Sequence, residues 1–208
     1  VERSRGLGDV YKRQILASLI KLLDCRHLFE FGTFMGATTL LLAENSTADA
    51  RVSTIDIPAD SGEAEGVDSS RILEDGDSND DYLRDQFLQQ GARCMARAEP
   101  HTRAKVKQYL QDSTTLDVQA QNLSNQFDFI FIDGGHDFET VSKDTENAYK
   151  MAQDNAVIVW HDFESTIHAD VTHFLKQHSH DRRIVHVEHS MLAFELLGRH
   201  RELLDIPG

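Results

Sequence analysis

The stretch LFEFGTFMGATT, residues 28–39, decides the fold of this chain. Its first residues are apolar and predict a β-strand, and a Gly-Thr-Phe-Met-Gly turn and the helix-forming sequence ATTLLLAE follow. Glycine lets the backbone turn sharply and approach a ligand, and the first N–H groups of the helix then face that ligand. This order of strand, glycine turn and helix predicts a nucleotide-type binding site at the carboxyl edge of a parallel sheet.

The glycine spacing and one carboxylate narrow the kind of ligand. The turn has the spacing G-x-x-x-G, whereas dinucleotide-binding proteins carry G-x-G-x-x-G. Glu30 stands two residues before Gly32, and a carboxylate at that position repels a pyrophosphate but attracts a cationic group. We therefore expect S-adenosylmethionine (SAM), whose amino group and sulfonium are both positive, rather than NAD.

Length, charge and cysteine content limit the function classes. A chain of 208 residues predicts one domain with a substantial core. The formal net charge of −14 argues against nucleic acid and anionic membrane as partners. Cys25 and Cys94 lack a metal-like spacing and predict free thiols in a reducing, cytoplasmic compartment. No apolar run approaches the roughly 20 residues that a membrane-spanning helix needs.

Two segments stand apart by composition. Residues 1–10 show no apolar period, and we expect a non-native or disordered leader there, followed by a single domain over 11–208. Between Asp60 and Asp81 nine acidic residues stand against one base, Arg71. This acidic insert, at about 60–81, predicts either a solvated loop or a lid that recognises the acceptor substrate.

Alternating strand and helix patterns predict a doubly wound, Rossmann-like α/β sheet that is mostly parallel. Apolar residues at helical spacing predict a first helix over 10–24. The predicted strands cover residues 28–31, 51–57, 105–110, 127–132, 156–160, 183–189 and 191–197. Almost nothing joins the last two, so they must be antiparallel neighbours.

Polar residues stand at the carboxyl end of each predicted parallel strand, where such sheets bind their ligands. They are Glu30, Asp56, Asp112, Asp133, His161 and Asp162. Taken singly, Asp56 and Asp112 are also explained as turn or cap residues, a role that Asp favours. As a set, they indicate a ligand site.

The sequences FIDGGHDFETVSKD (131–144) and VIVWHDF (157–163) complete the pattern. With the EFGTFMG turn, they resemble the class I SAM-dependent methyltransferases. Within that class they are similar to a small-molecule O-methyltransferase group whose strand four ends in D-G-x-H and strand five in H-D. The resemblance covers residues 10–197 and implies a seven-stranded sheet whose last strand is antiparallel.

The resemblance also implies a SAM site. Its residues would be Glu30, Gly32, Thr33 and Gly36 under the methionine part, Asp56 at the ribose, Asp112 and Ser113 at the adenine, and Asp133 beside the cofactor. Carboxylates accept strongly from hydroxyl and amine donors, which makes these roles physically reasonable.

For the chemistry, the resemblance implies Asp133, His161 and Asp162 as ligands of a divalent metal, Mg²⁺ or Mn²⁺. The HD pair stands where catechol-type enzymes have DN, and a histidine ligand is less typical of Mg²⁺, so the sequence leaves metal dependence open. His136 is the predicted catalytic base, with Asp133 as its catalytic neighbour, because an unperturbed histidine titrates near 6.5. Hydrogen bonding that fixes the loop ends is the alternative role of both histidines.

Two other classes of function compete with the methyltransferase hypothesis. One is an NAD- or nucleotide-sugar-binding Rossmann enzyme, which the glycine spacing and Glu30 disfavour. The other is a non-catalytic SAM-fold binding module, against which the acidic strand ends argue. Within the methyltransferases we expect a small hydroxylated acceptor such as a sugar or polyketide. An oligomer is compatible with the sequence.

Overall fold

A computed structural model of the chain describes residues 2–58 and 93–205, with side chains from Val10 onward and, after the gap, from Cys94 onward. The strands are β1 (His27–Phe31), β2 (Arg51–Asp56), β3 (Val106–Leu110), β4 (Phe127–Ile132), β5 (Ala152–Trp160), β6 (Val185–His186) and β7 (Ala193–Leu196). The α-helices are α1 (Glu2–Leu22), α2 (Ala37–Asn45), α3 (Arg93–Arg97), α4 (Pro100–Arg103), α5 (Phe138–Met151) and α6 (Ala169–His178). Two 3₁₀ helices cover Ser113–Thr115 and Gly198–Asp205.

The seven strands form one sheet in the order β3-β2-β1-β4-β5-β7-β6. Neighbours from β3 to β5 pair in parallel, and β7 runs antiparallel to both β5 and β6. The predicted doubly wound sheet with a terminal antiparallel hairpin is therefore confirmed. Its hairpin strands are shorter than predicted because residues 187–192 turn, with Val187 N–H donating to Leu192 and Ser190 N–H donating back to Val187.

Helix α1 begins at Glu2, so residues 2–9 have helical backbone. The non-native or disordered leader expected over residues 1–10 stays a prediction. Its buried face includes Leu16 and Ile20, which pack with the core on one side of the sheet. The acidic insert predicted at about 60–81 lies outside the described residues. Apolar residues at helical spacing also predict a helix over 82–97, of which α3 is the described part, whereas residues 82–92 lie outside it.

The core lies on both faces of the sheet because the central strands are apolar in nearly every position. In β4, Phe129 and Phe131 face one hydrophobic cluster, whereas Ile130 and Ile132 face the other. Trp160 at the end of β5 is fully buried, and its Nε1 donates to Thr145 Oγ1 of α5 at 2.9 Å. A strand that is buried on both faces is the expected signature of a central parallel strand.

The sheet carries the site residues to one edge. Asp133 N–H donates to the carbonyl of Phe31 at 3.0 Å, and His161 N–H donates to that of Ile132 at 3.0 Å. The parallel hydrogen-bond ladder thus extends one residue beyond β4 and β5, which fixes the backbone of both polar residues. Within the described part of the chain, no helix is long and apolar enough to cross a membrane. The two cysteines are free thiols, as predicted.

Candidate active site at the carboxyl edge of the sheet

The glycine turn after β1 has a backbone that only glycine accommodates well. Gly32 has φ +91° and Gly36, which precedes α2, has φ +81°. A Cβ at Gly32 would lie 2.1 Å from the carbonyl oxygen of Asp133, so the turn packs directly against the end of β4. Thr33 is buried, and its hydroxyl is 2.7 Å from that of Thr54 on β2. The turn is therefore fixed against strands on both of its sides.

Glu30 lies fully buried beneath this turn. Its Oε2 accepts a hydrogen bond from Thr54 Oγ1 at 2.8 Å and a second, short one from Thr39 Oγ1. Its Oε1 has no hydrogen-bond partner among the described residues. Burial raises the pKa of Glu30 to about 8, although the two hydroxyl donors oppose that shift. An unpartnered buried carboxylate oxygen is costly and is the kind of group that a cationic ligand satisfies.

Asp56 and Asp112 each accept backbone hydrogen bonds in the described structure. Asp56 accepts from the backbone N–H groups of Phe34, at 2.6 Å, and of Ile57, at 2.8 Å. Burial raises the pKa of Asp56 despite these donors. Asp112 caps the 3₁₀ turn by accepting from the N–H and hydroxyl of Thr114. A carboxylate has about four lone-pair sites, so both residues keep acceptor capacity, and their ligand contacts stay predictions.

Ser113, predicted with Asp112 at the adenine, begins the 3₁₀ turn after β3. Its carbonyl oxygen lies 3.5 Å from Nδ2 of Asn147 on α5, at the limit of hydrogen-bond distance. This turn and the glycine turn extend from the same edge of the sheet, because β3, β2 and β1 are consecutive neighbours.

The residues predicted for the chemistry form one cluster at the ends of β4 and β5. Nδ1 of His161 lies 3.1 Å from Asp133 Oδ1 and 2.8 Å from Asp162 Oδ2. Nε2 of His136 lies 3.1 Å from the same oxygen of Asp162. Lys12 of α1 completes the cluster by donating to Asp133 Oδ2 at 2.6 Å. Nδ1 of His161 thus bridges the two carboxylates, and each has one further partner, Lys12 for Asp133 and His136 for Asp162.

Burial and charge oppose each other in this cluster. Burial disfavours the imidazolium of His161, but the adjacent Asp133 carboxylate outweighs that effect and raises the pKa of His161 to about 9. Burial also works against the charged forms of the two aspartates, yet the cationic neighbours hold the pKa of each well below its usual range. The favoured state pairs the charged carboxylates with the cations of Lys12 and His161.

The predicted metal ligands do come together, since one atom from each of Asp133, His161 and Asp162 lies within 4.8 Å of the others. Their chemistry in this arrangement does not fit a divalent metal. A ring nitrogen within hydrogen-bond distance of two carboxylate oxygens must carry a hydrogen, so Nδ1 of His161 has no lone pair to offer. The ammonium of Lys12 takes the other inward oxygen of Asp133.

A second potential metal group consists of His136, Asp162 and His168. The imidazole rings of His136 and His168 stack, with centroids 3.7 Å apart and an interplanar angle of 18°. The lone pairs of an imidazole lie in its ring plane, and two nearly parallel planes at this separation do not direct them to one point. His136 Nε2 is also engaged by Asp162. This group therefore stabilises the orientation of the histidines.

Sequence reasoning missed four residues of the site: Lys12, Thr54, Asp144 and His168. Asp144 is fully buried on α5, where a Cβ on Gly134 would come within 3.2 Å of its Oδ2, and burial raises the pKa of Asp144 to about 7. Val141, Thr145 and Ala148 stand at helical spacing, and an acid on the face that they form is the signal that singles out Asp144. The other three have no sequence signal, because their roles depend on how α1, β2 and the loop before α6 pack.

Comparison with known proteins identifies the class. The model of a family described as "Methyltransferase domain" matches residues 29–163, which include the glycine turn and the ends of β4 and β5. The chain therefore belongs to that methyltransferase family, and its seven-stranded sheet is the Rossmann-like fold of class I SAM-dependent methyltransferases.

Solved structures share this fold at low sequence identity. The O-methyltransferase TomG from Streptomyces achromogenes, solved with SAM, is 18% identical, with a TM-score of 0.56 over 90% of this chain and 79% of TomG. An O-methyltransferase from Bacillus cereus, solved in complex with SAH, is 16% identical, with a TM-score of 0.55 over 94% of this chain and 89% of that one. No curated protein matches the chain.

Proposed function

We propose that this protein transfers a methyl group from SAM to a hydroxyl of a small molecule. The observation that carries the proposal is the buried Glu30, whose Oε1 has no partner among the described residues and lies beneath a turn that requires glycine. Membership of the methyltransferase family supports the reaction class, and the two solved O-methyltransferases support the choice of oxygen as acceptor atom.

The residues around Glu30 fit the methionine part of SAM. Gly32, Thr33 and Gly36 form a turn in which a Cβ at Gly32 would meet the backbone of Asp133 and Gly134, so the turn lies close to the end of β4, and the ligand would contact it through its backbone. The carboxylate of Glu30 offers the negative charge that an ammonium group needs. A cationic group nearby would in turn favour the charged form of Glu30.

The rest of SAM would lie along the ends of β2 and β3. Asp56 would accept hydrogen bonds from the ribose hydroxyls, and Asp112 and Ser113 would contact the adenine. These three residues follow neighbouring strands, which gives the correct order along an extended ligand. Asp133, whose carbonyl oxygen packs against the glycine turn, would separate the cofactor from the acceptor.

When bound, SAM supplies a methyl group whose bond to the sulfonium sulfur breaks, the electron pair staying on sulfur, as the acceptor oxygen forms its new bond to carbon. His136 takes the proton that the acceptor hydroxyl loses. Its Nε2 lies 3.1 Å from Asp162, and in the neutral ring that nitrogen carries the hydrogen. Asp162 holds the ring in that tautomer and stabilises the imidazolium that forms.

The charge of the chain supports a small acceptor. At −14, the protein has no excess of positive charge with which to hold a nucleic-acid backbone. A hydroxylated metabolite needs only one oriented hydroxyl near the base. Positioning it contributes strongly to rate, since effective molarities of about 10⁵ M or more are known for well-oriented groups.

Isothermal titration with SAM and SAH tests the proposal, followed by screening of hydroxylated acceptors for methyl transfer. We expect saturable binding that Asp56→Ala and Gly32→Val weaken or abolish. His136→Ala should then lower turnover and leave the SAM dissociation constant unchanged. Binding of NAD or a nucleotide sugar in place of SAM would overturn the proposal. Loss of turnover and SAM affinity together in His136→Ala would make that residue structural.

A further inference from the structure

Lys12 of helix α1 contacts the cluster at the ends of β4 and β5, although it lies far from those strands in the sequence. Lys12 Nζ donates to Asp133 Oδ2 at 2.6 Å and lies 5.2 Å from the centroid of the Phe131 ring. The lysine and aspartate side chains are only 17% and 18% exposed. An ammonium held by a carboxylate on one side and an aromatic face on another is a fixed charge.

We propose that the Lys12 ammonium is the resident cation of this site, that it keeps divalent metals out, and that methyl transfer by this protein needs no metal. The inference rests on the proposed function for the last of these statements only. The exclusion of metal concerns the charge and geometry of the cluster and is testable without any acceptor.

Charge balance supports the proposal. A divalent ion between Asp133 and Asp162 would neutralise two carboxylates. Here the Lys12 ammonium meets Asp133, and the Nδ1–H of His161 is shared by both aspartates. Adding a doubly positive ion next to the ammonium would place like charges within a few ångströms in a poorly hydrated site, which is strongly unfavourable.

The geometry leads to the same result. Metal–oxygen bonds of about 2.0–2.2 Å require the carboxylate lone pairs to face the ion. Oδ2 of Asp133 already faces the ammonium, and Oδ1 faces the histidine nitrogen. An ion on either oxygen of Asp133 would therefore lie beside the Lys12 ammonium or the His161 N–H, and its entry requires these donors to move.

The proposal assigns Lys12 a role in the reaction. A positive charge fixed beside Asp133 lowers the energy of negative charge that develops on an acceptor oxygen at this edge. That is the task of a Lewis-acidic metal in metal-dependent enzymes, performed here by a side chain.

The test measures Mn²⁺ binding by isothermal titration and by the EPR signal of free Mn²⁺. We expect no saturable binding to the unmodified protein or to the control Lys21→Met, which removes an exposed charge from the same helix. Lys12→Met should bind Mn²⁺, and Lys12→Met/Asp133→Asn should lose that binding again. Lys12→Arg keeps the charge and should exclude the ion.

Two results would overturn the proposal. One is saturable Mn²⁺ binding to the unmodified protein that Lys12→Met does not strengthen. The other is Mn²⁺ binding to Lys12→Arg as tight as that to Lys12→Met, since the charge would then be irrelevant. Circular dichroism of each variant confirms that it is folded, and Lys12→Arg provides a conservative variant should Lys12→Met not fold.

Activity gives a separate readout once an acceptor is known. Turnover by the unmodified protein should be insensitive to EDTA, whereas Lys12→Met should lose turnover and regain part of it with Mn²⁺. EDTA-sensitive turnover by the unmodified protein would contradict metal independence. If no acceptor is methylated, the methyltransferase proposal fails, while the Mn²⁺ titrations still decide the role of Lys12.

Discussion

Thr54 and Glu30 lie directly opposite each other in the parallel pair β1–β2, and the threonine hydroxyl donates to the buried carboxylate at 2.8 Å. The hydroxyl of Thr39 donates to the same oxygen. One oxygen of the carboxylate is therefore satisfied by protein, whereas Oε1 has no partner among the described residues.

Proton release should accompany SAM binding. Burial raises the pKa of Glu30 to about 8, so much of the ligand-free protein carries a proton there at pH 7. The ammonium of SAM favours the carboxylate and expels that proton. Titration at pH 7 in two buffers of different ionisation enthalpy should reveal up to one proton released.

The matched control ligand is 5′-methylthioadenosine, which lacks both positive groups and should bind without proton release. Glu30→Gln should likewise abolish the proton release, and it should weaken the binding of SAM more than the binding of methylthioadenosine. Equal proton release for both ligands would contradict the role given to Glu30.

Replacing Gly32 should damage stability and binding together. Any side chain there meets the Asp133 carbonyl and must adopt φ +91°, which costs about 1–3 kcal/mol before the overlap is counted. Gly32→Ala should therefore lower the melting temperature and abolish SAM binding by the folded fraction. Calorimetry and SAM titration measure the two effects.

Gly198→Ala is the control for that variant. Gly198 also has positive φ, and its Cβ would lie 2.2 Å from the carbonyl oxygen of Asp154, at the opposite end of β5 from the site. It should lower the melting temperature without changing SAM affinity. A parallel loss of affinity in this variant would mean that the Gly32 effect is global.

Removing the buried charge of Asp144 should stabilise the protein at high pH. Burial raises the pKa of Asp144 from 3.8 to about 7, so the folded protein binds this proton more tightly than the unfolded chain. The stability it contributes is complete below pH 4 and is lost as pH rises through 7. The free energy of unfolding of Asp144→Asn should therefore exceed that of the unmodified protein by at least about 1 kcal/mol at pH 9.

Denaturant unfolding at pH 5 and pH 9 measures this difference. The advantage of Asp144→Asn must be larger at pH 9 than at pH 5. Asp137→Asn, at the start of α5, gives a comparison for the loss of an acid that caps a helix. An advantage that is the same at both pH values would show that Asp144 is charged throughout.

Substitution of His136 should reduce turnover without weakening the binding of SAM. General-base catalysis contributes typically about 10²–10⁴-fold, so His136→Ala should lower kcat by a factor in that range. Steady-state kinetics with a methylated acceptor provide the measurement. His101→Ala, an exposed histidine on α4, should leave kcat unchanged. A fall of less than threefold in His136→Ala would assign the base to another residue.

The sequence predicted which residues meet at the carboxyl edge of the sheet, but it did not predict which side chains from other segments contact them. Asp133, His161 and Asp162 could be placed together because the ends of neighbouring parallel strands meet. Their partners could not. Lys12 reaches Asp133 across 121 positions in the chain, and that contact depends on the rotation of α1 over the sheet, which its apolar spacing does not determine.

Burial was the second quantity that the sequence left undetermined. Glu30 was predicted as a ligand-facing carboxylate, yet its full burial and the unequal hydrogen bonding of its two oxygens follow from the register of β1 against β2. His168 contacts His136 from a loop that carries no motif. The fold follows from patterns repeated along the chain, whereas the site depends on single contacts between distant segments.

The interior position of β1 has a consequence for the lifetime of the protein in a cell. This strand is paired on both sides and carries a carboxylate whose Oε1 lacks a partner among the described residues, so a cationic ligand that satisfies this oxygen would add stability. Because proteases remove unfolded chains, abundance should rise when the methyl donor is plentiful and fall under its starvation. The concentration of the cofactor would then set how much of the folded enzyme the cell retains.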